Sequence, residues 1–394
     1  MVKYEHCGIR PSKRKQCPIT AGLERYGKCV ARPERRLCHP ARSDQEIGPL
    51  HELWRAGCGW QLCHPVDQLV QLDRAGEFSA RNPRPEEVEQ LKGRYIFGGV
   101  LYGHFGHFIV ESLARLWAQD AEGVDAEAYI FTAKVSTFPQ KSVEKLQKLA
   151  ALLGLRLPII VARVPTQVET LYVPAQGFGM NDLIEGSAAF RTFMNTHAGA
   201  GIEPTGDEKI YISRSKLPSD RGSLLGEYKL EEYLAAEGYD IFHPQRFPAE
   251  EQIARYKAAR QIIAVDCSPL HMLGYVGHKD QSAAIILRRS MVIGDYLARQ
   301  LQSFKGMDAY SIDCLLDDWI LQPGSRPSRS SWGEIDFGAL HAKLLASGHI
   351  QNPTPWPSLT QEERSAELER IEKMHEAKFR SYNEIKVIRN KSII

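Results

Sequence analysis

The sequence predicts an α/β protein of two domains followed by a C-terminal helix. The chain has 394 residues, more than one domain of roughly 100–200 residues needs, and its 43% hydrophobic content is enough to bury two cores. From residue 94 onward, short apolar segments alternate with segments of helical periodicity. This alternation is typical of parallel sheets flanked by helices, so we expect each domain to be of the Rossmann type.

The domain boundaries are predicted from a Gly- and Pro-rich break at residues 199–206. The N-terminal domain spans residues 1–200, of which 1–95 have no regular pattern, and the second domain spans 201–325. Residues 326–394 form a helical extension, whose last helix covers 358–380. The expected strands are 94–100, 128–132, 158–161, 170–173, 209–213, 239–242, 261–265, 282–287 and 309–312. The expected helices are 104–119, 139–153, 184–197, 226–237, 248–259, 268–276 and 293–302.

The charge and hydropathy pattern favours a cytoplasmic protein. The net charge of the whole chain is only +2, which does not predict nucleic-acid binding. Residues 1–42 and the last ten residues are basic, which predicts solvated ends or, as the alternative, peripheral association with an anionic membrane or an acidic polymer. No segment reaches the ~18 apolar residues of a membrane span, and no secretory signal is visible at the N-terminus.

The eight cysteines predict free thiols. Six of them precede residue 64, but no two form the Cys-x-x-Cys pair typical of structural zinc sites. Reduced cysteines are the expected state in a cytoplasmic chain.

The first candidate site lies in residues 102–117. On an α-helix, His104, His107, Glu111 and Arg115 share one stripe, while most other positions are apolar. His107 and Glu111 are four residues apart and can hydrogen-bond, which would orient the imidazole as a base. Gly103 and Gly106 leave room for a ligand to approach the helix start. A structural network at a domain interface and a His/His/Glu metal site remain alternatives.

The second candidate site follows two strands of the second domain. Arg214, Lys216 and Arg221 come just after strand 209–213, where arginine can bind a diphosphate through two hydrogen bonds. Asp266 follows strand 261–265 and could hold a ribose hydroxyl or act as a base. Ser268 and Pro269 suit a helix start, whose free N–H groups bind phosphate or ribose. Surface arginines, a turn-forming aspartate and an ordinary helical His271 are the alternatives.

The order of these motifs resembles glycosyltransferase family 61 over about residues 95–290. The matching motifs are Gly106-His107-Phe108 with Glu111, Ser213-Arg214 with Arg221, Gly226-Glu227, Phe247-Pro248 with Gln252, and Asp266 to His271. Gly226 stands where the family has Asn, Asp266-Cys267 where it has His-Gly, and His271 where it has its last Asn.

The resemblance implies an inverting transferase of the GT-B type, with two Rossmann-type domains facing across a cleft. The acceptor would bind the N-terminal domain and a nucleotide-sugar donor the second. The expected site residues fall into three groups: catalytic His107, Glu111 and Asp266; donor-binding Arg214, Lys216, Arg221, Glu227, Ser268, Pro269, Leu270 and His271; and acceptor-side Gly103, His104 and Arg115.

The expected activity is sugar transfer in the building of a bacterial surface polysaccharide or glycolipid, such as capsule or lipopolysaccharide. We expect no cofactor and no metal ion, because the sequence has no Asp-x-Asp at a strand end to hold a metal on a diphosphate. A nucleotide-sugar hydrolase or epimerase, and a non-catalytic scaffold of a polysaccharide assembly complex, are the competing hypotheses.

Overall fold

The computed structural model describes residues 27–31, 70–72, 78–80 and 84–391, apart from 134–137, 219–220 and 292. Three strands lie in the early part of the chain: β1 (Gly27–Ala31), β2 (Val70–Leu72) and β3 (Phe78–Ala80). Five of the six early cysteines lie outside the described residues, and of Cys29 in β1 only the backbone is described, so the prediction of free thiols there stays a prediction.

The first sheet has the strand order β1-β7-β4-β5-β6. Strands β4 to β7 are parallel to their neighbours, and β1 pairs antiparallel with β7. Only residues 163–165 join β6 to β7, so this sheet departs from the regular strand–helix alternation expected of a Rossmann-type domain. Its remaining elements are β4 (Glu89–Leu101), β5 (Ala128–Ala133), α2 (Gln140–Leu152), β6 (Ile159–Ala162), β7 (Thr166–Tyr172) and α3 (Ala188–His197).

The second sheet is wholly parallel, with the order β12-β11-β10-β8-β9 and a helix between each pair of consecutive strands. The predicted elements are confirmed here to within a few residues. The chain direction across this doubly wound sheet reverses between β8 and β10, where ligands bind in folds of this kind. The elements are β8 (Lys209–Ile212), α4 (Glu227–Ala236), β9 (Asp240–Phe242), α5 (Ala249–Ala258), β10 (Gln261–Val265), α6 (Pro269–Val276), β11 (Ser282–Ile286), α7 (Ile293–Lys305) and β12 (Asp308–Ile312).

The C-terminal part contains a small antiparallel sheet as well as helices, so the prediction of a helical extension is wrong. The helix expected to reach residue 380 ends at His375, because Glu376 adopts a left-handed conformation with φ of 52°. The chain then pairs with β13. The elements are β13 (Leu315–Leu321), β14 (Trp332–Ile335), α8 (Phe337–Ala346), α9 (Gln361–His375), β15 (Phe379–Ser381) and α10 (Tyr382–Lys391).

One hydrophobic core joins the two large sheets. Phe178, Phe190, Tyr275 and Phe304 are buried against one another, with ring centroids 5.2–6.0 Å apart. Aromatic contacts of this kind add to the free energy gained from burial. They fix α3 against α6 and α7. In the part of the chain that the structure describes, no helix has the length and apolar character needed to cross a membrane.

Candidate active site

The first candidate site is a short helical turn at the carboxyl end of β4. Three α-helical residues, α1 (Phe105–His107), continue into a π-helical turn over Phe108–Ser112. The Ser112 hydroxyl donates to the carbonyl of Val100 at 2.8 Å and accepts the Tyr102 N–H at 3.0 Å. These bonds attach the turn to the end of the strand. Single π-turns are frequent at functional sites.

The prediction of one continuous helix over 104–119 is wrong. The hydroxyl of buried Tyr129 donates to the carbonyl of Leu116 at 2.9 Å, and a 3₁₀ turn covers Leu116–Asp120. Arg115 therefore leaves the predicted stripe, and its Nε donates to the carbonyl of Pro174 at 3.0 Å. Contacts from distant residues override the local helical pattern here.

The His107–Glu111 pair forms as the spacing predicts. His107 Nδ1 lies 2.5 Å from Glu111 Oε1. Because an ionised carboxylate only accepts, Nδ1 carries the proton in this pair and neutral His107 has its lone pair on Nε2. The ring stacks on Tyr102 with centroids 5.2 Å apart and meets the edge of the His104 ring at 5.5 Å. The His107 side chain is 55% exposed, so a substrate hydroxyl can reach it.

The first and second candidate sites meet in the folded chain. Gly106 is buried against the start of α6, and a β-carbon on it would stand 2.6 Å from the Ser268 hydroxyl. The same two segments are also joined by a hydrogen bond, in which the Tyr275 hydroxyl of α6 donates to the carbonyl of Ile109 at 2.7 Å. The imidazole of His107 therefore lies close to the carboxyl edge of the second sheet.

Two strand ends form that edge at the switch point between β8 and β10. Arg214 follows β8, and its Nε and Nη2 donate to the carbonyl of Gly222 at 3.2 and 2.9 Å. Burial, followed by the nearby charge of Arg288, lowers the pKa of Arg214 to about 10. Asp266 follows β10 and is buried, with its Oδ1 3.1 Å from Arg288 Nε. Asp266 thus faces an arginine rather than open solvent.

Glu227 supports the loop that carries Arg214. Its carboxylate accepts the backbone N–H of Arg214 at 2.7 Å, the Tyr211 hydroxyl at 3.0 Å and the hydroxyls of Ser213 and Ser223. Burial raises the pKa of Glu227, and the hydrogen bonds from Ser223 and the Arg214 N–H oppose the rise. The Glu227 residue is only 3% exposed, so it holds the end of β8 in place from the protein interior.

The preceding residue, Gly226, explains a departure from the family pattern. It has φ of 71°, the left-handed region that glycine adopts freely and asparagine tolerates best among other residues. A β-carbon there would also stand 2.7 Å from the Leu359 side chain. Glycine therefore meets a backbone requirement that the asparagine expected from the resemblance would also tolerate.

The start of α6 offers few free backbone donors. The N–H groups of Leu270 and His271 already donate to the carbonyls of Cys267 and Ser268, at 3.2 and 3.0 Å. The His271 ring is buried and its Nδ1 lies 2.6 Å from Gln300 Oε1. Arginine side chains therefore supply most of the positive charge at this edge.

The other predicted site residues lie nearer the surface, on the segments that carry His107, Arg214 and Asp266. Gly103 and His104 are exposed beside His107, and Lys216 is exposed beyond Arg214. Arg221, Ser268 and Pro269 are half-buried. Among the described residues, no group of three or more His, Cys, Asp or Glu side chains is arranged to hold a metal ion.

Sequence reasoning missed Arg288 and Arg289. They follow β11, the neighbour of β10, and so lie at the same edge as Asp266. Two consecutive arginines directly after a predicted strand were the available signal.

The fold and the site define an α/β protein with a cationic switch point in a doubly wound sheet and a His–carboxylate pair against it. Residues 105–280 match the family described as Glycosyltransferase 61, and this segment, which contains His107, Glu111, Arg214 and Asp266, belongs to that family. This match supports glycosyltransferase activity. No curated protein matches the chain.

Proposed function

We propose that the protein is an inverting, metal-independent glycosyltransferase of the GT-B type. It moves a sugar from a nucleotide-sugar donor to a hydroxyl group of a growing surface polysaccharide or glycolipid, such as capsule or lipopolysaccharide. The observation that carries this proposal is the contact of Gly106 with Ser268. It brings an oriented imidazole against the cationic edge of the second sheet.

In the proposed reaction, His107 acts as the general base. The acceptor hydroxyl gives its proton to His107 Nε2 while its oxygen bonds to the anomeric carbon of the donor sugar. The bond from that carbon to the phosphate oxygen breaks on the opposite face, and its electron pair leaves with the nucleotide. Glu111 holds the imidazole in the reactive tautomer and stabilises the imidazolium that forms.

The leaving group gains negative charge at the switch point, where Arg214 and Arg221 balance it. Lys216 adds a charge at the rim, while Ser268 and Pro269 line the approach from α6 and Leu270 is buried behind them. Buried Glu227, Asp266 and His271 position these groups. Gly103, His104 and Arg115 border the acceptor side.

The proposed place of action is the cytoplasm, at the inner face of a membrane that carries the acceptor. The basic ends of the chain support a peripheral association with anionic lipid. No resident cofactor enters the proposed reaction.

A panel of nucleotide sugars tests the function. The purified chain is incubated with each donor, with and without oligosaccharide or glycolipid acceptors, and released nucleotide and glycan products are measured. We expect acceptor-dependent transfer with one donor and a product whose anomeric configuration is opposite to that of the donor. Equal nucleotide release without acceptor would indicate a hydrolase, and absence of nucleotide binding would indicate a scaffold.

A further inference from the structure

Arg288 is buried and Arg289 is half-buried, and the hydrogen bonds of both cations are incomplete within the described residues. Arg288 is 5% exposed, and its backbone N–H and Nε contact Asp266. Its buried Nη1 has no hydrogen-bond partner among the described residues, and the same holds for the buried Nε of Arg289. A buried charged donor without an acceptor is costly, so these two nitrogen atoms are available to an added acceptor.

Salt bridges around these arginines are also few. Arg214, Arg288 and Arg289 lie at one edge of the sheet, and the only salt bridge that any of them makes with a described residue joins Arg288 to Asp266. Burial, followed by the charge of Arg288, lowers the pKa of Arg289 to about 10. The same two causes act on Arg214. Each guanidinium is therefore destabilised by burial and by its neighbour.

The nearby carboxylates leave the free guanidinium donors without an acceptor. Glu227 is saturated by hydroxyl donors and the Arg214 N–H, and Asp318 accepts both the N–H and the hydroxyl of Ser290. Burial raises the pKa of both acids. An added anion with several oxygen atoms would satisfy the free arginine donors and offset the repulsion among the three cations.

We infer that Arg288 and Arg289 form, opposite Arg214, a binding site for the diphosphate of the donor. The two phosphate groups supply the oxygen acceptors that Arg288 Nη1 and Arg289 Nε lack. The inference rests on the proposed function and adds two residues that hold the leaving group. Asp266 acts here by orienting Arg288.

Calorimetric titration with inorganic pyrophosphate tests the site. Arg289→Gln removes one cation, and Arg288→Lys keeps the charge beside Asp266 but loses the planar fork. Arg260→Gln is the matched control, because exposed Arg260 precedes β10 and lies at the opposite edge of the same sheet. We expect about tenfold weaker binding in each of the first two variants and no change in the control. Thermal unfolding of all variants checks that they are folded.

The outcomes separate this inference from the proposed function. Pyrophosphate affinities within twofold of wild type in both folded variants would overturn the arginine site, even if the wild-type chain transfers sugar. Loss of affinity in both variants, with orthophosphate binding far more weakly than pyrophosphate, supports it. If the wild-type chain binds pyrophosphate through Arg289 but transfers no sugar, the function fails and the anion site remains.

Discussion

A β-carbon placed on Gly106 would stand 2.6 Å from the hydroxyl oxygen of Ser268, closer than real side chains approach. This contact is where the turn that carries His107 meets the helix at the donor edge. Its tightness sets the distance between the proposed base and the leaving group.

Gly106→Ala should therefore lower transfer activity. The added methyl group must displace the Ser268 side chain or separate the two segments, and a shift of about 1 Å can cost on the order of 10²-fold in rate. Ser268→Ala in the same chain removes the clashing hydroxyl and should restore part of the rate. Gly338→Ala is the control, since its β-carbon would meet nothing closer than 3.4 Å. Equal kcat in Gly106→Ala and wild type would show that the contact does not matter.

Arg214→Ala should weaken nucleotide-sugar binding by roughly ten- to a hundredfold, because a charge-assisted bond to phosphate contributes about 1.5–3 kcal/mol. Calorimetry on the folded variant measures this directly. The affinity of Arg214→Lys for the nucleotide sugar should lie between those of wild type and Arg214→Ala. Lysine keeps the positive charge but lacks the planar guanidinium that can bond two phosphate oxygens. Unchanged nucleotide affinity in Arg214→Ala would remove Arg214 from the donor site.

The protein should lose stability in mild acid through His271. Burial lowers the pKa of this imidazole to about 4 from 6.5, so the unfolded chain binds more protons between these values. Stability is thus fully present above pH 6.5 and falls as the pH drops toward 4, by on the order of 3 kcal/mol. Urea unfolding at several pH values measures how steeply the free energy of unfolding changes with pH. We expect a smaller pH dependence in His271→Asn and an unchanged one in the control His278→Asn. A slope unchanged by His271→Asn would show that other groups cause it.

Transfer activity should persist in EDTA. The described part of the chain holds no cluster suited to a divalent ion, and arginines supply the positive field at the proposed leaving group. Initial rates with and without chelator should agree. Loss of activity that manganese or magnesium restores would contradict this prediction.

The sequence predicted the second sheet well because each of its elements has a clear local pattern. It failed over 104–119, where Tyr129 and Ser112 make bonds that only the folded chain brings together. It predicted the His107–Glu111 contact because four residues of helical chain are enough to form it. Two arginines directly follow the predicted strand 282–287, but their place beside Asp266 depends on β11 lying next to β10, and no local pattern contains that strand order.

The central claim is that His107 is the base and Glu111 orients it. The most direct test is kcat for His107→Ala, Glu111→Gln, His104→Ala and Asp266→Asn under saturating donor and acceptor. Loss of a general base costs roughly 10²–10⁴ in rate. We expect that loss in His107→Ala with unchanged donor binding, and a smaller loss in Glu111→Gln, which still accepts a hydrogen bond. An inactive Glu111→Gln beside a nearly active His107→Ala would contradict the account and make Glu111 the base.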